Sequence, residues 1–351
     1  MSNLDHSESP SILFLGSDNP SSNSRRRADS LERIGCKVYV LDLPNLIGFR
    51  SKWQHFFDYR TGFLFTQRKL LRNLQLAIAS ADFKADVVWI DSGELVGPRV
   101  LKCLTGYYNS PVILYNSDDP TGSRDGGRFI SLVRSLPFYT LTVFTRLESS
   151  LEALALGAQR SATVSSSYDE VGHVAPADGF VTPFSKVVSF IGTFIPGEKR
   201  DHFLLQLANS GLPLIIRGNR WNRSFYWSKL LHFCNAAAVY GRDYAHFLKD
   251  AAINIGFLSH RNRDLVTRRS FEIPACGGLF CAERTSEHQL LYEDGVEAVF
   301  WDSVDECIAL CKELLADAPR NHLIRTAGHH HILAAGFGND DICRQILNLL
   351  P

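Results

Sequence analysis

The stretch KVVSFIG at residues 186–192 decides the fold, because it restarts in mid-chain the pattern with which the chain opens. It predicts a buried strand that ends in glycine and is followed by a loop and a helix over residues 200–210. Residues 11–16 (SILFLG) predict the same kind of strand, followed by a serine-rich loop and a helix over residues 25–35. A strand, a loop, a helix and a further strand in that order open a Rossmann-like parallel sheet. Two such openings predict an α/β fold of two Rossmann-like domains that face each other across a cleft, where such sheets bind ligands.

The domain boundaries follow from where these patterns begin and end. Polar residues at the start predict a disordered tail, and a stretch rich in serine, glycine and proline between the halves predicts a linker. The last residues predict an amphipathic helix that packs on a domain. We expect a tail over residues 1–11, an N-terminal domain over 12–170, a linker over 171–185, a C-terminal domain over 186–335 and the final helix over 336–351.

Composition and charge exclude several classes of protein. Of 351 residues, 37 are Lys or Arg and 37 are Asp or Glu, so a basic stripe for nucleic acid is not expected. No apolar run approaches the ~20 residues of a membrane span, and the polar first residues are not a signal peptide. The eight cysteines are scattered without a Cys-x-x-Cys pair, and the three consecutive histidines at 329–331 point in different directions on a helix, so no metal site is expected. A reduced, cytoplasmic protein fits these observations best.

A candidate anion site lies in RRSFEIPACGGLF at residues 268–280. The stretch predicts a short helix that ends at a glycine pair and is followed by a buried strand. The N-terminus of a helix gathers unpaired N–H groups and suits an anion, and Arg268 and Arg269 strengthen that preference. Glu272 cannot pair with an anion and is better placed to accept hydrogen bonds from hydroxyls such as those of a ribose. These residues describe a nucleotide-diphosphate site; the alternative is a helix capped by Arg and Glu and packed by its alanine and glycine residues.

Two carboxylates follow a strand of the N-terminal half. Residues 111–116 (PVILYN) predict a buried strand, and Asp118 and Asp119 come soon after it. The carboxyl ends of parallel strands are where such sheets bind ligands. Asp118 or Asp119 is therefore a candidate base for an acceptor hydroxyl, or a ligand of sugar hydroxyls. The alternative is an Asp-Pro turn that caps a helix.

Aromatic residues are concentrated in the first part of a helical stretch over residues 50–82. We expect most of them to pack in the core or between domains, and an acceptor pocket is the alternative. They are Trp53, Phe56, Phe57, Tyr59, Phe63 and Phe65.

Several short motifs of the second half occur in a characteristic order. They are FIGT at 190–193, Arg200, RGNRW at 217–221, RSFE at 269–272, ACGG at 275–278 and EDGVEA at 293–298. In order and spacing, over residues 186–335, they resemble the CgeB-like (spore-maturation-protein) glycosyltransferases of the GT-B fold. The first half is similar more loosely, through Gly16, the arginine-rich first helix and the Asp118-Asp119-Pro120 turn.

The resemblance implies a glycosyltransferase, a hexosyl- or related transferase, that uses a nucleotide-sugar donor of the UDP or GDP type and needs no metal ion. The donor would occupy mainly the C-terminal domain, and the acceptor would face the N-terminal one. In proteins of this fold a C-terminal helix such as that over residues 336–351 can cross back to the N-terminal domain. Glu272 matches the glutamate expected to hold the ribose, and Arg269 and Arg200 match basic residues near the diphosphate. With the glycine-ended loops and strand ends, the donor-binding candidates are Gly192, Thr193, Arg200, Arg217, Gly218, Asn219, Tyr240, Arg269, Glu272, Gly277 and Gly278.

One position departs from the pattern of many retaining GT-B enzymes, which carry two glutamates separated by seven residues. Here Glu272 is the second, and Asp264 stands at the first, with a side chain one methylene shorter. Asp264 joins Asp118 and Asp119 as a catalytic candidate. The pattern leaves open whether the reaction retains or inverts the anomeric configuration.

The sequence thus predicts transfer of a sugar from a nucleotide-diphosphate sugar to an acceptor hydroxyl. The leaving diphosphate gains negative charge, which fixed positive charge and N–H donors would stabilise. The acceptor, whether glycan, lipid, protein or small molecule, stays open. The alternatives are a GT-B-fold sugar-nucleotide epimerase and a non-catalytic binding or scaffold protein, and mutation of Glu272 separates them.

Overall fold

The computed structural model describes residues 10–48, 51–174, 185–234 and 238–350. Two compact units divide the chain: an N-terminal unit of residues 1–165 and 339–351, and a C-terminal unit of residues 166–338. The first boundary lies before the predicted residue 170 because Tyr168 is buried in the C-terminal core, where its N–H donates to the carbonyl of Phe337 (3.3 Å).

The structure describes the predicted tail and the predicted linker only in part. Residues 1–9 of the predicted tail and 175–184 of the predicted linker lie outside the described residues. Ser11, the last residue of the predicted tail, is the first residue of a strand.

The N-terminal unit alternates strands and helices. Its elements in chain order are β1 (Ser11–Gly16), α1 (Asn23–Arg33), β2 (Lys37–Asp42), α2 (Leu43–Ile47), α3 (Lys52–Arg60), α4 (Gln67–Ala81), β3 (Val87–Asp91), α5 (Pro98–Tyr108), β4 (Val112–Asn116), α6 (Ile130–Ser135), β5 (Leu141–Phe144), α7 (Leu147–Ala155) and β6 (Ser161–Thr163). The strands form one parallel sheet in the order β2-β1-β3-β4-β5-β6.

The C-terminal unit repeats this plan. Its elements are β7 (Ser185–Ile191), α8 (Arg200–Asn209), β8 (Leu214–Arg217), α9 (Trp227–Leu230), α10 (Gly241–Asp250), β9 (Ala251–Gly256), α11 (Arg269–Ala275), β10 (Phe280–Glu283), α12 (Ser286–Leu291), β11 (Val299–Trp301), α13 (Val304–Ala316) and α14 (Ala318–Ala334), and the chain ends with α15 (Asn339–Asn348). The strands form a second parallel sheet in the order β11-β10-β9-β7-β8.

The central strands explain why the sequence predicts this fold. β3, β4 and β9 are buried along their whole length. A parallel sheet covered by helices on both faces requires such continuous apolar runs rather than alternation. Helix starts are set by side-chain caps, as where Ser22 Oγ accepts from the Arg25 N–H (3.0 Å) before α1.

The stretch 239–241, for which the sequence favours a short strand, is not a strand in the structure. Tyr240 immediately precedes α10, and Gly241 begins that helix in the left-handed region at φ 58°. A left-handed residue breaks an extended backbone, so the segment turns into the helix.

The last helix, α15, belongs to the N-terminal unit and packs against α1. Asp340 accepts hydrogen bonds from Ser30 Oγ (2.6 Å) and from Arg33 Nη2 (2.7 Å). On its inner side Ile342 and Ile346 are buried in the core that covers one face of the N-terminal sheet.

A buried ion pair lies at the carboxyl edge of the N-terminal sheet, between β1 and β3, where the strand order reverses. Arg27 Nη1 of α1 lies 2.7 Å from Asp91 Oδ1 at the end of β3. The Arg27 guanidinium also stacks 3.8 Å from the centre of the Tyr115 ring. Both charged side chains are almost fully buried, so each depends on the other.

Among the described residues, no helix is both long enough and apolar enough to cross a membrane.

Candidate functional site

The candidate site lies at the carboxyl edge of the C-terminal sheet, where its strand order reverses. β7 is the first strand of this sheet in chain order, and within the sheet it lies between β8 and β9. Open parallel sheets bind ligands outside the carboxyl ends of their strands at such a point. The loops that follow β7 and β9, together with the first residues of α8, α10 and α11, supply the side chains of the site.

Glu272 is the centre of the site and lies in the first turn of α11 with 8% of its surface exposed. Tyr244 Oη, from α10, donates a hydrogen bond to Glu272 Oε2 (2.7 Å). The other carboxylate oxygen, Oε1, lies 3.5 Å from Arg268 Nε and 3.9 Å from His173 Nδ1. Three separate segments therefore surround one carboxylate.

Glu272 is ionised in this environment. Burial by itself raises the pKa of Glu272, but the positive charges of His173, Arg268 and Arg269 and the Tyr244 hydrogen bond outweigh burial and lower this pKa to about 2. Burial raises the pKa of Tyr244 well above its ordinary value. The phenol therefore stays protonated and donates a hydrogen bond to Glu272. An ionised carboxylate has further lone pairs, so it can accept hydrogen bonds from ligand hydroxyls.

Three arginines at this edge keep buried N–H groups without a hydrogen-bond partner among the described residues. They are Arg200 at Nε, Arg217 at Nε and Arg268 at Nη2. Arg200 opens α8, Arg217 ends β8 and Arg268 immediately precedes α11. A buried donor left unpaired costs about 1–3 kcal/mol. An anion with several oxygens, such as a diphosphate, would satisfy these donors.

Arg200 and Arg269 are close enough to influence each other. Burial lowers the pKa of Arg200, the neighbouring Glu198 raises it, and the positive charge of Arg269 lowers it further. Arg269 Nη1 in turn lies 3.4 Å from Tyr244 Oη, and its guanidinium carbon lies 5.6 Å from the centre of that ring. The structure thus brings the predicted residues Arg200, Arg269 and Glu272 into one cluster.

Two carboxylates fix the loop after β9. Glu198 accepts hydrogen bonds from Ser259 Oγ (2.8 Å) and from the His260 N–H (3.2 Å). Asp264 Oδ2 accepts from the Ser259 N–H (3.3 Å), and its negative charge is among those that raise the pKa of Arg200. Asp264 therefore borders the arginine cluster while it stabilises its own loop.

The loops after β7 and β8 are joined by their backbones. The Gly192 N–H donates to the Arg217 carbonyl (2.8 Å), and the Phe194 N–H donates to that of Asn219 (2.9 Å). Gly218 has φ 140°, and a Cβ there would lie 2.1 Å from the Gly192 carbonyl oxygen. The glycines are required for this close approach, and they bring the predicted residues 192 and 217–219 to the same edge.

Thr193 and Tyr240 lie at this edge too, but Gly277 and Gly278 do not. Thr193 follows Gly192 and is half-buried, and Tyr240 precedes α10 with 60% of its surface exposed. The glycine pair precedes β10 and therefore lies at the amino end of a parallel strand, away from the site. This corrects the prediction that the pair contacts the donor. Gly277 turns the chain at φ 79°, and a Cβ on Gly278 would lie 2.8 Å from the Leu248 carbonyl.

Comparison with known proteins agrees with this geometry. Residues 199–348 match the model of the glycosyl transferase-like family. No curated protein matches the chain in sequence. Among solved structures, HepE from Anabaena in complex with UDP-glucose is similar at a TM-score of 0.66 and 12% identity, with 97% of this chain and 100% of that chain covered. Sucrose-phosphate synthase from Thermosynechococcus elongatus is similar at a TM-score of 0.68 and 12% identity, over 97% and 98% of the two chains.

The chain has the GT-B fold, and residues 199–348 of its C-terminal part are similar to the glycosyl transferase-like family. The fold alone does not separate all enzymes that share it. A putative UDP-N-acetylglucosamine 2-epimerase from Listeria monocytogenes is similar at a TM-score of 0.57 and 9% identity, over 97% of this chain and 95% of that one.

The N-terminal unit carries an ion cluster at the carboxyl edge of its own sheet. Arg128 pairs with Glu94, which follows β3, and with Asp118, which follows β4 (3.2 Å). Arg128 also lies 3.7 Å from Asp125, which accepts a hydrogen bond from Tyr59 Oη (3.1 Å). Burial raises the pKa of Glu94, Arg128 opposes this, and Asp118 adds to it. Glu94 is a candidate base that no sequence motif marks.

Asp119 has a different environment from its neighbour Asp118. It is 2% exposed, and its Oδ1 accepts a hydrogen bond from Ser149 Oγ (3.2 Å). Its carboxylate also packs on Gly122, where an added Cβ would lie 2.2 Å from Oδ2. These contacts favour the turn-forming alternative for Asp119 and leave Asp118 as the more accessible carboxylate of the pair.

Three cysteines converge in the core of the C-terminal unit. The sulfur atoms of Cys281, Cys307 and Cys311 lie within 4.8 Å of one another, and all three residues are buried. A structural zinc site needs four ligands. Among the described residues no fourth His, Cys, Asp or Glu joins this group, so it can be understood as packing of small apolar side chains.

Sequence reasoning missed two residues beside Glu272. Tyr244 lies on an amphipathic helix, where an aromatic residue is expected to be part of the core. His173 lies in a stretch without periodicity and has no partner at a characteristic spacing, so its sequence context indicates a structural or surface residue. The contacts that define both residues join segments separated by 28 and 99 positions, which local patterns cannot reveal.

Proposed function

We propose that this protein is a glycosyltransferase that takes its sugar from a nucleoside-diphosphate sugar held by the Glu272 cluster of the C-terminal unit, and that it needs no metal ion. The observation that carries the proposal is the buried, unpartnered N–H group of Arg268 beside the ionised carboxylate of Glu272, together with those of Arg200 and Arg217 at the same edge of the sheet. A diphosphate matches the arginines, and the vicinal hydroxyls of a ribose match Glu272. HepE, which shares the fold, is a complex with UDP-glucose, and this supports a donor of the UDP type.

The arginines also stabilise the leaving group of the proposed reaction. When the bond between the anomeric carbon and the diphosphate breaks, negative charge develops on the leaving oxygens. Fixed guanidinium groups in a partly buried site stabilise that charge without reorganisation. Arg200, Arg268 and Arg269 would then take the part that a divalent cation has in metal-dependent phosphate sites.

The acceptor hydroxyl has to lose a proton, and we propose that a carboxylate of the Arg128 cluster accepts it. Glu94 and Asp118 both flank Arg128, and burial raises the pKa of Glu94 toward the range of a general base. Asp264 is the corresponding candidate on the donor side if the configuration is retained.

The motif pattern supports a place in the CgeB-like branch, and eight free thiols support a cytoplasmic location.

Thermal unfolding in the presence of nucleotides tests the donor proposal. The wild-type protein would be heated in EDTA with UDP, GDP, ADP and their glucose derivatives. A ligand at about 100 times its Kd adds ~2.7 kcal/mol to the free energy of unfolding. We expect stabilisation by one nucleotide family, its loss in Arg268→Ala and Glu272→Ala, and its retention in Arg242→Ala, an exposed arginine on α10.

Several outcomes separate the proposal from its alternatives. Stabilisation that requires added magnesium would contradict the metal-free mechanism. An epimerase would convert the donor sugar without releasing free nucleoside diphosphate, which chromatography of the reaction mixture detects. A folded protein that no nucleotide stabilises would favour a binding or scaffold role.

A further inference from the structure

An aromatic surface on the N-terminal unit has no covering in the described structure. We call it the aromatic face: Trp53, Phe56 and Phe57 of α3, with Phe65 of the short 3-10 turn Leu64–Thr66. Their exposed fractions are 82%, 50%, 67% and 74%. Positions 53, 56 and 57 follow the spacing i, i+3, i+4, so they share one side of the helix. Most of the six aromatic residues of this stretch are predicted to pack in the core or between domains, but these four are exposed.

The opposite side of α3 is fixed to the unit, so the aromatic face is held in place. Asp58 is 4% exposed, and its carbonyl accepts the Phe63 N–H (2.7 Å). Tyr59 packs edge-on against the buried Phe63 ring, 6.5 Å between centres, and donates to Asp125 (3.1 Å). The apolar side chains are thus displayed by an anchored helix.

The stretch of sequence that carries the aromatic face is basic. Residues 51–81 contain five Lys or Arg and one acid, Asp58, which is buried, whereas the whole chain has 37 of each charge. Arg60 lies with its guanidinium 4.8 Å from the Phe56 ring centre. Arg68 and Arg72 are exposed on α4 at the i, i+4 spacing, and Arg68 comes three residues after Phe65.

We propose that the aromatic face docks on the surface of a bilayer that contains anionic lipids. Trp and Phe on one side of a helix, beside Lys and Arg, are the combination that inserts into the headgroup region while basic side chains contact lipid phosphates. A second exposed apolar stripe, Leu147, Leu151 and Leu154 on α7, lacks this combination, because Glu148 and Glu152 accompany it. Anionic lipid would attract the first surface and repel the second.

Co-sedimentation with vesicles tests the proposal with the full chain. The probes are phosphatidylcholine vesicles and vesicles that also contain phosphatidylglycerol, at low and at raised salt. We expect binding to the anionic vesicles, weakened by salt. Each basic residue near an anionic surface contributes about fivefold, so Arg68→Gln/Arg72→Gln should weaken binding about 25-fold. Phe56→Ser/Phe57→Ser should weaken it roughly tenfold per residue.

The α7 variant Leu151→Ser/Leu154→Ser is the matched control and should bind like wild type. Circular dichroism checks that each variant is folded. Tryptophan fluorescence gives a second readout, because a blue shift on anionic vesicles should disappear in Trp53→Phe while the four other tryptophans remain.

Four results would overturn the proposal. They are no binding to anionic vesicles at low salt, binding that survives Phe56→Ser/Phe57→Ser, equal loss of binding in the α7 control, and a blue shift that persists in Trp53→Phe. A concentration-dependent dimer that Phe56→Ser/Phe57→Ser abolishes, without vesicle binding, would instead assign the aromatic face to a second copy of the chain.

Discussion

The ionised state of Glu272 makes the stability of the C-terminal unit depend on pH in a predictable way. The pKa of Glu272 is about 2 in the folded chain, below its ordinary value of 4.5. Its contribution to the free energy of unfolding is therefore fully present above about pH 4.5 and is lost as the pH falls toward 2. Glu272→Gln removes the titrating group and should remove this dependence.

The magnitude follows from the two pKa values. The difference between 4.5 and about 2 corresponds to about 3 kcal/mol in total. From about pH 6 to pH 4, roughly 1 kcal/mol of this should be lost, and about 2 kcal/mol by pH 3. Glu272 is 8% exposed, so solvent screening reduces these values little.

Urea unfolding of wild type and Glu272→Gln at several pH values measures the effect. Other carboxylates are common to both proteins, so the difference between their free energies of unfolding isolates Glu272. Wild type should lose its advantage over the variant by roughly 1 kcal/mol between about pH 6 and pH 4. Glu287→Gln, which changes an exposed glutamate on α12, is the control and should follow wild type.

Two results would refute the reasoning. If the two unfolding curves keep a constant difference from pH 6 to pH 4, the surrounding positive charge does not hold Glu272 ionised. If the difference grows as the pH falls, burial dominates and the pKa of Glu272 is raised.

Two further predictions concern the N-terminal unit. Asp91→Asn leaves Arg27 buried without its counter-charge and should lower the free energy of unfolding by about 3–5 kcal/mol. The double variant Arg27→Leu/Asp91→Leu removes both charges and should lower it less. Urea unfolding measures both losses, and equal losses would contradict the role of the pair. Asp119→Ala should destabilise the fold by about 1–3 kcal/mol because it leaves buried donors unpaired. Asp118→Asn should instead lower the rate of sugar transfer with little change in Tm. If Asp119→Ala lowers the rate and Asp118→Asn lowers Tm, the roles proposed for the two aspartates are exchanged.

Much of the fold follows from the sequence because the strands are buried on both faces. The apolar runs at 12–15, 87–90 and 112–115 each form a central strand, and the spacing of later motifs places Arg200, Arg269 and Glu272 at one edge. The position of Gly277 and Gly278 depends on strand direction, which places them at the other edge. Helical periodicity alone also predicts burial for the aromatic residues of α3, since it does not reveal whether an apolar side faces the core or the solvent.

The return of α15 to the N-terminal unit has a consequence for synthesis of the chain on the ribosome. Ile342 and Ile346 complete the core that covers one face of the first sheet, yet they are translated after the whole C-terminal unit. The C-terminal unit, residues 166–338, is then fully emerged while the first unit still lacks its last helix. Nascent chains fold as their segments appear, so the N-terminal unit should reach its native state after the C-terminal unit, with an apolar surface open to chaperones until α15 emerges.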